Sequence, residues 1–181
     1  FDASVGSTLI HEIGHALGLK HVHDHGGLDS PYYNSGYTNS GPYPVYKTVM
    51  SYYNPSGNFH DSDTYYAKTP MSLDVNVLSE LYGESSYKNS GNNTYTVTSS
   101  KSYEVIVDYE GINTVNLDPA SRGWIIQLTD PSSQYGWGQE IDRSLPKAQY
   151  IDLMGRFDHA TGSNYNDTIK GTSATNIIDG N

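Results

Sequence analysis

The 181-residue chain contains no cysteine. Disulfide staples, thiolate metal ligands and a cysteine nucleophile are therefore excluded together. Basic residues are few: 10 Lys and Arg stand against 20 Asp and Glu, a formal net charge of -10. Nucleic acid and anionic lipid need a basic footprint and are not expected partners. No apolar stretch approaches the roughly 20 residues of a membrane span. The chain opens Phe1-Asp2-Ala3, with neither an initiator Met nor a signal-peptide pattern. The natural N-terminus is expected to lie upstream. Hydrophobic residues make up only 35%, and mean hydropathy is -0.59. That is thin for one large core. Gly, Ser, Asn, Asp, Thr and Tyr fill the difference, which predicts turns and short strands rather than long helices. The acidic surplus has two readings, solubility or calcium held in Gly-rich loops.

Residues from Ser4 to Leu17 read as a helix. Val5, Leu9, Ile13, Ala16 and Leu17 recur at helical spacing, and Gly18 follows as a stop. From Lys20 to Gly57 no periodic pattern survives, so a long, functional surface loop is expected. Thr69-Pro70 looks like an N-cap with proline in the first turn. Met71, Val75, Leu78 and Tyr82 form one apolar face of a second helix, and Gly83 ends it. After Gly83 the character changes. Strand-like runs appear at Tyr95–Val97, Tyr103–Val107, Thr114–Leu117 and Trp124–Leu128. The final stretch repeats, with Gly171 and then Gly180 standing where Gly162 stood.

The strongest signal is His11-Glu12-Ile13-Gly14-His15-Ala16-Leu17-Gly18-Leu19-Lys20-His21. Residues four apart lie on one helix face, so His11 and His15 can offer nitrogens to one metal. Gly18 lets the chain turn back, and His21 can supply a third nitrogen. Three neutral nitrogens plus an open position is the layout of a catalytic zinc site. Glu12, beside the first ligand, can reach a metal-activated water and serve as proton acceptor. His23, His25, His60 and His159 lack such spacing and read as loop residues.

Further along, Thr48-Val49-Met50-Ser51-Tyr52 forms a short apolar turn. The long zinc motif followed by this turn resembles the metzincin clan, and Met-Ser-Tyr resembles serralysins and astacins within it, with the chain as a whole most like a serralysin. The resemblance implies an α+β fold in two parts. Residues 1–84 would be the C-terminal part of a zinc-peptidase domain, with zinc helix, long loop, Met-turn and C-terminal helix. Residues 85–181 would be β-rich, with short strands leading into the truncated start of a parallel β-roll at 162–181. It also implies that Met50 packs beneath the metal and that Tyr52 is both a zinc ligand and a catalytic hydroxyl. The implied activity is a zinc endopeptidase that hydrolyses extracellular proteins by Glu12-assisted attack of zinc-bound water. The enzyme would be bacterial and secreted, and would meet protein substrates and a small proteinaceous inhibitor.

The repeats follow the pattern of a calcium-binding roll only in part. Gly162, Asp167 and Ile169 match in the first copy, with Ser163 and Tyr165 where Gly is expected. Gly171 and Ile178 match in the second, with Asn176 in the Asp position. The calcium ligands expected from this stretch are Gly162, Asn164, Asp167, Gly171, Ser173 and Asn176. The same likeness places Asp108 and Asn113 in an earlier calcium loop, with Asn89, Gly91 and Asn93 opposite. The expected ions are thus Zn2+ and Ca2+, with no organic cofactor. The family pattern begins well before the zinc helix and continues past the roll. An alternative is therefore a catalytically incomplete zinc- and calcium-binding fragment that needs the missing N-terminal portion. A third idea, a carbohydrate-binding β module, rests only on Tyr and Trp in residues 85–160. Those aromatics, Trp124 and Trp137 among them, read more readily as packing.

Overall fold

The computed structural model describes residues 3–22, 46–51, 65–83, 89, 91–130, 132, 135–141, 143, 145 and 147–181. The expected loop therefore lies largely outside the described residues, as do Tyr52, His23, His25 and His60. The chain divides into two compact units. One holds Phe1–Ser85, Ser102–Glu104 and Leu145–Lys147; the other holds Ser86–Lys101, Val105–Ser144 and Ala148–Asn181.

In the first unit, helix α1 spans Ala3–Ala16. It ends in a reversal whose hydrogen bonds identify a Schellman motif: Gly18 N–H donates to His15 O at 3.0 Å, and Leu19 N–H to Gly14 O at 2.9 Å. Gly18 takes φ +90°, the left-handed region in which a side chain is strained. Leu19 then folds back and is buried. The helix buries the side that carries His11 and Gly14. Its apolar stripe faces the other way: Val5, Leu9, Ile13 and Leu17 are 52, 52, 48 and 39% exposed.

Helix α2 spans Ser72–Tyr82 and is capped at Met71, not at Thr69 as the sequence suggests. The cap is made from inside the helix. Asp74, at the third helical position, accepts a hydrogen bond from Met71 N–H at 2.8 Å, the acidic half of a capping box. The buried side is correspondingly rotated from the expected face. Met71, Ser72, Asp74 and Val77 are buried, Val75 and Leu78 are half-buried, and Tyr82 is 67% exposed. Strand β1, Tyr66–Ala67, pairs in parallel with the first residues of strand β3, Ser102–Asn116. Tyr103 is fully buried there, stacked on Tyr65 and edge-on to Tyr46.

The second unit is a mixed β structure. Besides the rest of β3 it contains β2 (Thr94–Thr96), β4 (Trp124–Gln127), β5 (Tyr135–Glu140), β6 (Tyr150–Thr161), β7 (Thr168–Lys170) and β8 (Ile178–Asp179). The lateral order is β3-β6-β5-β4-β7. Strands β4, β5 and β6 are antiparallel neighbours. Strand β2 runs parallel to the far end of β3, with Thr94 opposite Thr114. The two repeat strands join different partners, each in parallel: Ile169 of β7 faces Ile126 of β4, and Ile178 of β8 faces Ala160 of β6. The core gathers Val97, Val115, Leu117, Trp124, Ile126, Leu128, Ile151, Leu153 and Phe157. The runs at 103–107 and 114–117 belong to one strand rather than two. Strands β5 and β6 lie where the sequence suggests no strand. Trp124 is completely buried, and Trp137 stacks on Tyr150, so both serve as packing residues.

Candidate metal centre

The reversal after α1 brings His21 over the helix face that carries His11 and His15. His21 Nε2 lies 3.1 Å from His11 Nε2 and 3.1 Å from His15 Nε2. Among the described residues these three form the one cluster of His, Cys, Asp or Glu able to hold a metal ion.

The outer nitrogens decide what the inner ones carry. His11 Nδ1 lies 2.7 Å from Val49 O, and His15 Nδ1 lies 3.0 Å from Leu19 O. A carbonyl oxygen only accepts, so each Nδ1 bears the proton. In the neutral rings each Nε2 then presents a lone pair. Both lone pairs converge on His21 Nε2. A single proton on His21 could serve only one of them well, whereas a cation serves all three. Tetrahedral zinc, with Zn–N near 2.0–2.1 Å, sets its nitrogens about 3.3 Å apart, close to the two 3.1 Å separations from His21, and all three ligand atoms lie within 4.8 Å of one another. The donor set and its spacing fit zinc.

The carbonyls that orient the rings are themselves held. Leu19 O is delivered by the Gly18 reversal. Val49 belongs to the turn before Met50, and that turn is gripped by Asp74. Asp74 accepts from Thr48 Oγ1 at 2.5 Å and from Val49 N–H at 2.8 Å, besides Met71 N–H. Thr48 Oγ1 in turn accepts from Met50 N–H at 3.0 Å. A continuous path runs from Asp74 through the Val49 peptide to His11, of the kind that fixes metal-ligand orientation. Burial pushes the Asp74 carboxyl above its ordinary value, and the bonds from Thr48, Val49 and Met71 oppose that rise. Sequence reasoning missed Asp74. Its one signal is an acidic residue at the third position of a helix.

Met50 is fully buried. A Cβ added at Gly14 would lie 2.6 Å from Met50 Sδ, so the sulfur occupies the space that Gly14 leaves between the two helical histidines. Glu12 is exposed on the helix turn that carries His11. An apolar groove lies beside the centre, lined by Ile10, Ile13, Leu17, Leu19, Val49 and Leu78 among others.

The expected calcium residues gather into hydrogen-bond networks of the second unit. Asp108 is buried, and its Oδ2 accepts from Asn93 Nδ2 at 3.1 Å and Tyr95 Oη at 2.7 Å. Its Oδ1 accepts from Glu110 N–H at 3.1 Å. Asn89 donates to Tyr95 Oη at 2.7 Å, and Gly91 O accepts from Asn93 Nδ2 at 3.1 Å. Asn113 accepts from Asn93 N–H and donates to Glu110 O and Arg156 O. In the repeats, Asp167 accepts from Ser163 N–H and Trp124 N–H, both at 2.7 Å. Asn176 accepts from Thr172 N–H at 2.8 Å and donates to Asp158 O at 2.8 Å. Asn164 donates to Asp118, and Ser173 reaches Asp130 at 3.5 Å. Gly162 N–H donates to Asp179 O, and Gly171 lies against Asn176. His159 Nδ1 accepts from Ile177 N–H at 3.1 Å.

Known proteins point the same way as the histidine cluster. A matrixin peptidase profile matches residues 2–45. The chain is 26% identical to a serralysin of Photorhabdus luminescens over 94% of its length, and 29% identical to the metalloprotease AprA of Pseudomonas entomophila over the same share. It is 35% identical to serralysin A of Dickeya chrysanthemi over 49% of its length. The chain spans 37% of the length of the first two relatives and 17% of the third. At the level of family, these likenesses together with the histidine cluster support a similarity to zinc metalloproteases. Within that class they support a serralysin-type metzincin.

Proposed function

We propose that this chain carries the zinc-binding and proton-transfer machinery of a secreted bacterial endopeptidase. The observation that carries the reading is the convergence of three histidine Nε2 atoms, two of them fixed as lone-pair donors by backbone carbonyls. His11, His15 and His21 would hold zinc. When bound, zinc supplies a Lewis acid that polarises a carbonyl and makes water acidic near neutral pH. Glu12 accepts the proton as water attacks the scissile carbonyl, and returns it to the leaving amine. Tyr52 would serve as a further ligand at rest. Its hydroxyl then donates to the carbonyl oxygen as negative charge develops there. Met50 and Gly18 hold the centre from below and from the turn. The substrates are extracellular proteins, a small proteinaceous inhibitor is a natural partner, and residues 1–84 form the protease part.

One observation favours the alternative, a zinc-holding piece that needs further chain for turnover. Val5, Leu9, Ile13 and Leu17 leave the apolar stripe of the zinc helix largely exposed, and such a stripe is ordinarily covered.

The test is cleavage of a generic peptide by the 181-residue chain before and after zinc is stripped and restored. Zinc-reversible cleavage that vanishes in Glu12→Gln, with zinc still bound, supports the first reading. In the same assay Tyr52→Phe should lower kcat more than it raises KM. Residual activity comparable to the parent in Glu12→Gln removes Glu12 as the base. A bound zinc with no cleavage establishes the incomplete piece.

A further inference from the structure

We propose that side-chain amides fill the bridging positions of the expected calcium sites, so that the second unit folds and stays folded without calcium. A calcium ion joins six to eight oxygens by drawing their lone pairs to one point. An NH2 group does a smaller version of this, since its two protons tie two oxygens together. The second unit uses that device repeatedly. Asn93 Nδ2 bridges Gly91 O and Asp108 Oδ2, each at 3.1 Å. Asn113 Nδ2 bridges Glu110 O at 2.9 Å and Arg156 O at 2.8 Å. Asn176 Nδ2 bridges Asp158 O at 2.8 Å and Thr172 Oγ1 at 2.9 Å. Asn164 Nδ2 reaches both Asp118 O and its Oδ1 at 3.2 Å, and Asn181 Nδ2 ties Asp118 Oδ1 to Gly162 O.

The direction of two of these amides, Asn113 and Asn176, is set by their neighbours. Asn113 Oδ1 accepts from Asn93 N–H, and Asn176 Oδ1 accepts from Thr172 N–H. Those N–H groups fix the oxygen, so the NH2 must point at the carbonyls. The two repeats confirm the logic by difference. Ser163 N–H to Asp167 and Thr172 N–H to Asn176 are the same bond one repeat apart. Beyond it, Asp167 meets a donor, Trp124 N–H, while Asn176 meets an acceptor, Asp158 O. A carboxylate suits the first neighbour and an amide the second. Asn176 is a matched donor rather than a weak cation ligand.

Asp108 and Asp167 keep their charges, but each oxygen of both already accepts a hydrogen bond. Among the described residues no acidic cluster gathers in this unit. Among the described residues the one buried carboxylate oxygen without a partner there is Asp158 Oδ1, whose sister oxygen is paired with Arg156 Nε at 2.8 Å. A single oxygen is not a calcium cage.

The experiment follows thermal unfolding by tryptophan fluorescence. Both tryptophans, Trp124 and Trp137, lie in the second unit, so the signal reports that unit. The zinc-loaded chain is melted with a calcium-selective chelator and with calcium at about 10 mM, above the 10⁻⁴–10⁻³ M dissociation constants of extracellular calcium modules. The melting temperature is expected to be the same in both. Asn113→Asp and Asn176→Asp, melted separately, should each fall below the parent with or without calcium, because a carboxylate then opposes a carbonyl. A calcium-induced rise of several degrees in the parent overturns the proposal, as does loss of the folded signal in chelator. Either variant melting like the parent in chelator overturns the bridging role of its amide.

Discussion

The two units solve the same problem of buried polar groups in opposite ways. Around α1, two histidines whose Nδ1 protons are committed to Val49 O and Leu19 O aim their Nε2 atoms at a nitrogen of a third. In the β unit, acceptors face donors, and side-chain amides tie oxygens in pairs. The first arrangement gathers three imidazole nitrogens that a cation can hold together. The second joins acceptors to donors directly, with Trp124 Nε1 and Asp158 Oδ1 its buried unpaired atoms among the described residues. Metal dependence is therefore a matter of which way protons point, and not of how many potential ligands a segment contains.

The sharpest way to break this contrast is a metal titration with two reporters. Both described helices lie in the first unit, so the helical circular-dichroism signal follows it, while tryptophan fluorescence follows the second. Zinc at a hundred times its dissociation constant should stabilise the species that binds it by about 2.7 kcal/mol. The helical melt is expected to rise accordingly and the tryptophan melt to move less. Equal shifts in both signals would erase the distinction.

A smaller effect probes the path from Asp74 to the metal. Asp74→Asn retains one acceptor and sets an NH2 against the N–H and O–H groups that now donate to it. Val49 should shift, and with it the carbonyl that orients His11. Substitutions of this kind lower metal affinity on the order of 10–100-fold. Competition with a chromophoric chelator measures that loss, and the visible spectrum of the cobalt-substituted chain reports the ligand geometry. A variant that melts lower but binds zinc and cobalt as the parent does would make Asp74 a helix cap and nothing more.

How much of this was legible in the sequence depends on how local the signal is. The histidine motif is readable because helix geometry alone puts His11 and His15 on one face, and Gly18 announces the turn that returns His21. The groups that orient the rings are not readable. Val49 O and Leu19 O are backbone atoms with no side-chain signature. Strand β6 is not readable because every residue of Tyr150–Gly155 is buried, so no alternation of buried and exposed positions marks its period. The repeats at Gly162 and Gly171 are visible as repeats. Whether Asn176 would offer its oxygen or its NH2 to the interior depends on Thr172 N–H and Asp158 O, which only the folded chain brings to it.

The smallest expected effect tests the turn on which the metal centre depends. Gly18 has φ +90° and no heavy atom within 4 Å of where a Cβ would sit, so any cost of Gly18→Ala is backbone strain rather than crowding. That strain is about 1–2 kcal/mol for a residue with a side chain in the left-handed region. The helical melt should drop by that amount, and the tryptophan melt should hold. Asn tolerates this conformation better than Ala, so Gly18→Asn should lie between Ala and the parent. Because the same turn delivers Leu19 O to His15, zinc affinity should follow the order Gly, Asn, Ala. If stability follows that order while zinc affinity stays flat, the reversal only ends the helix, and His15 is oriented by the metal itself.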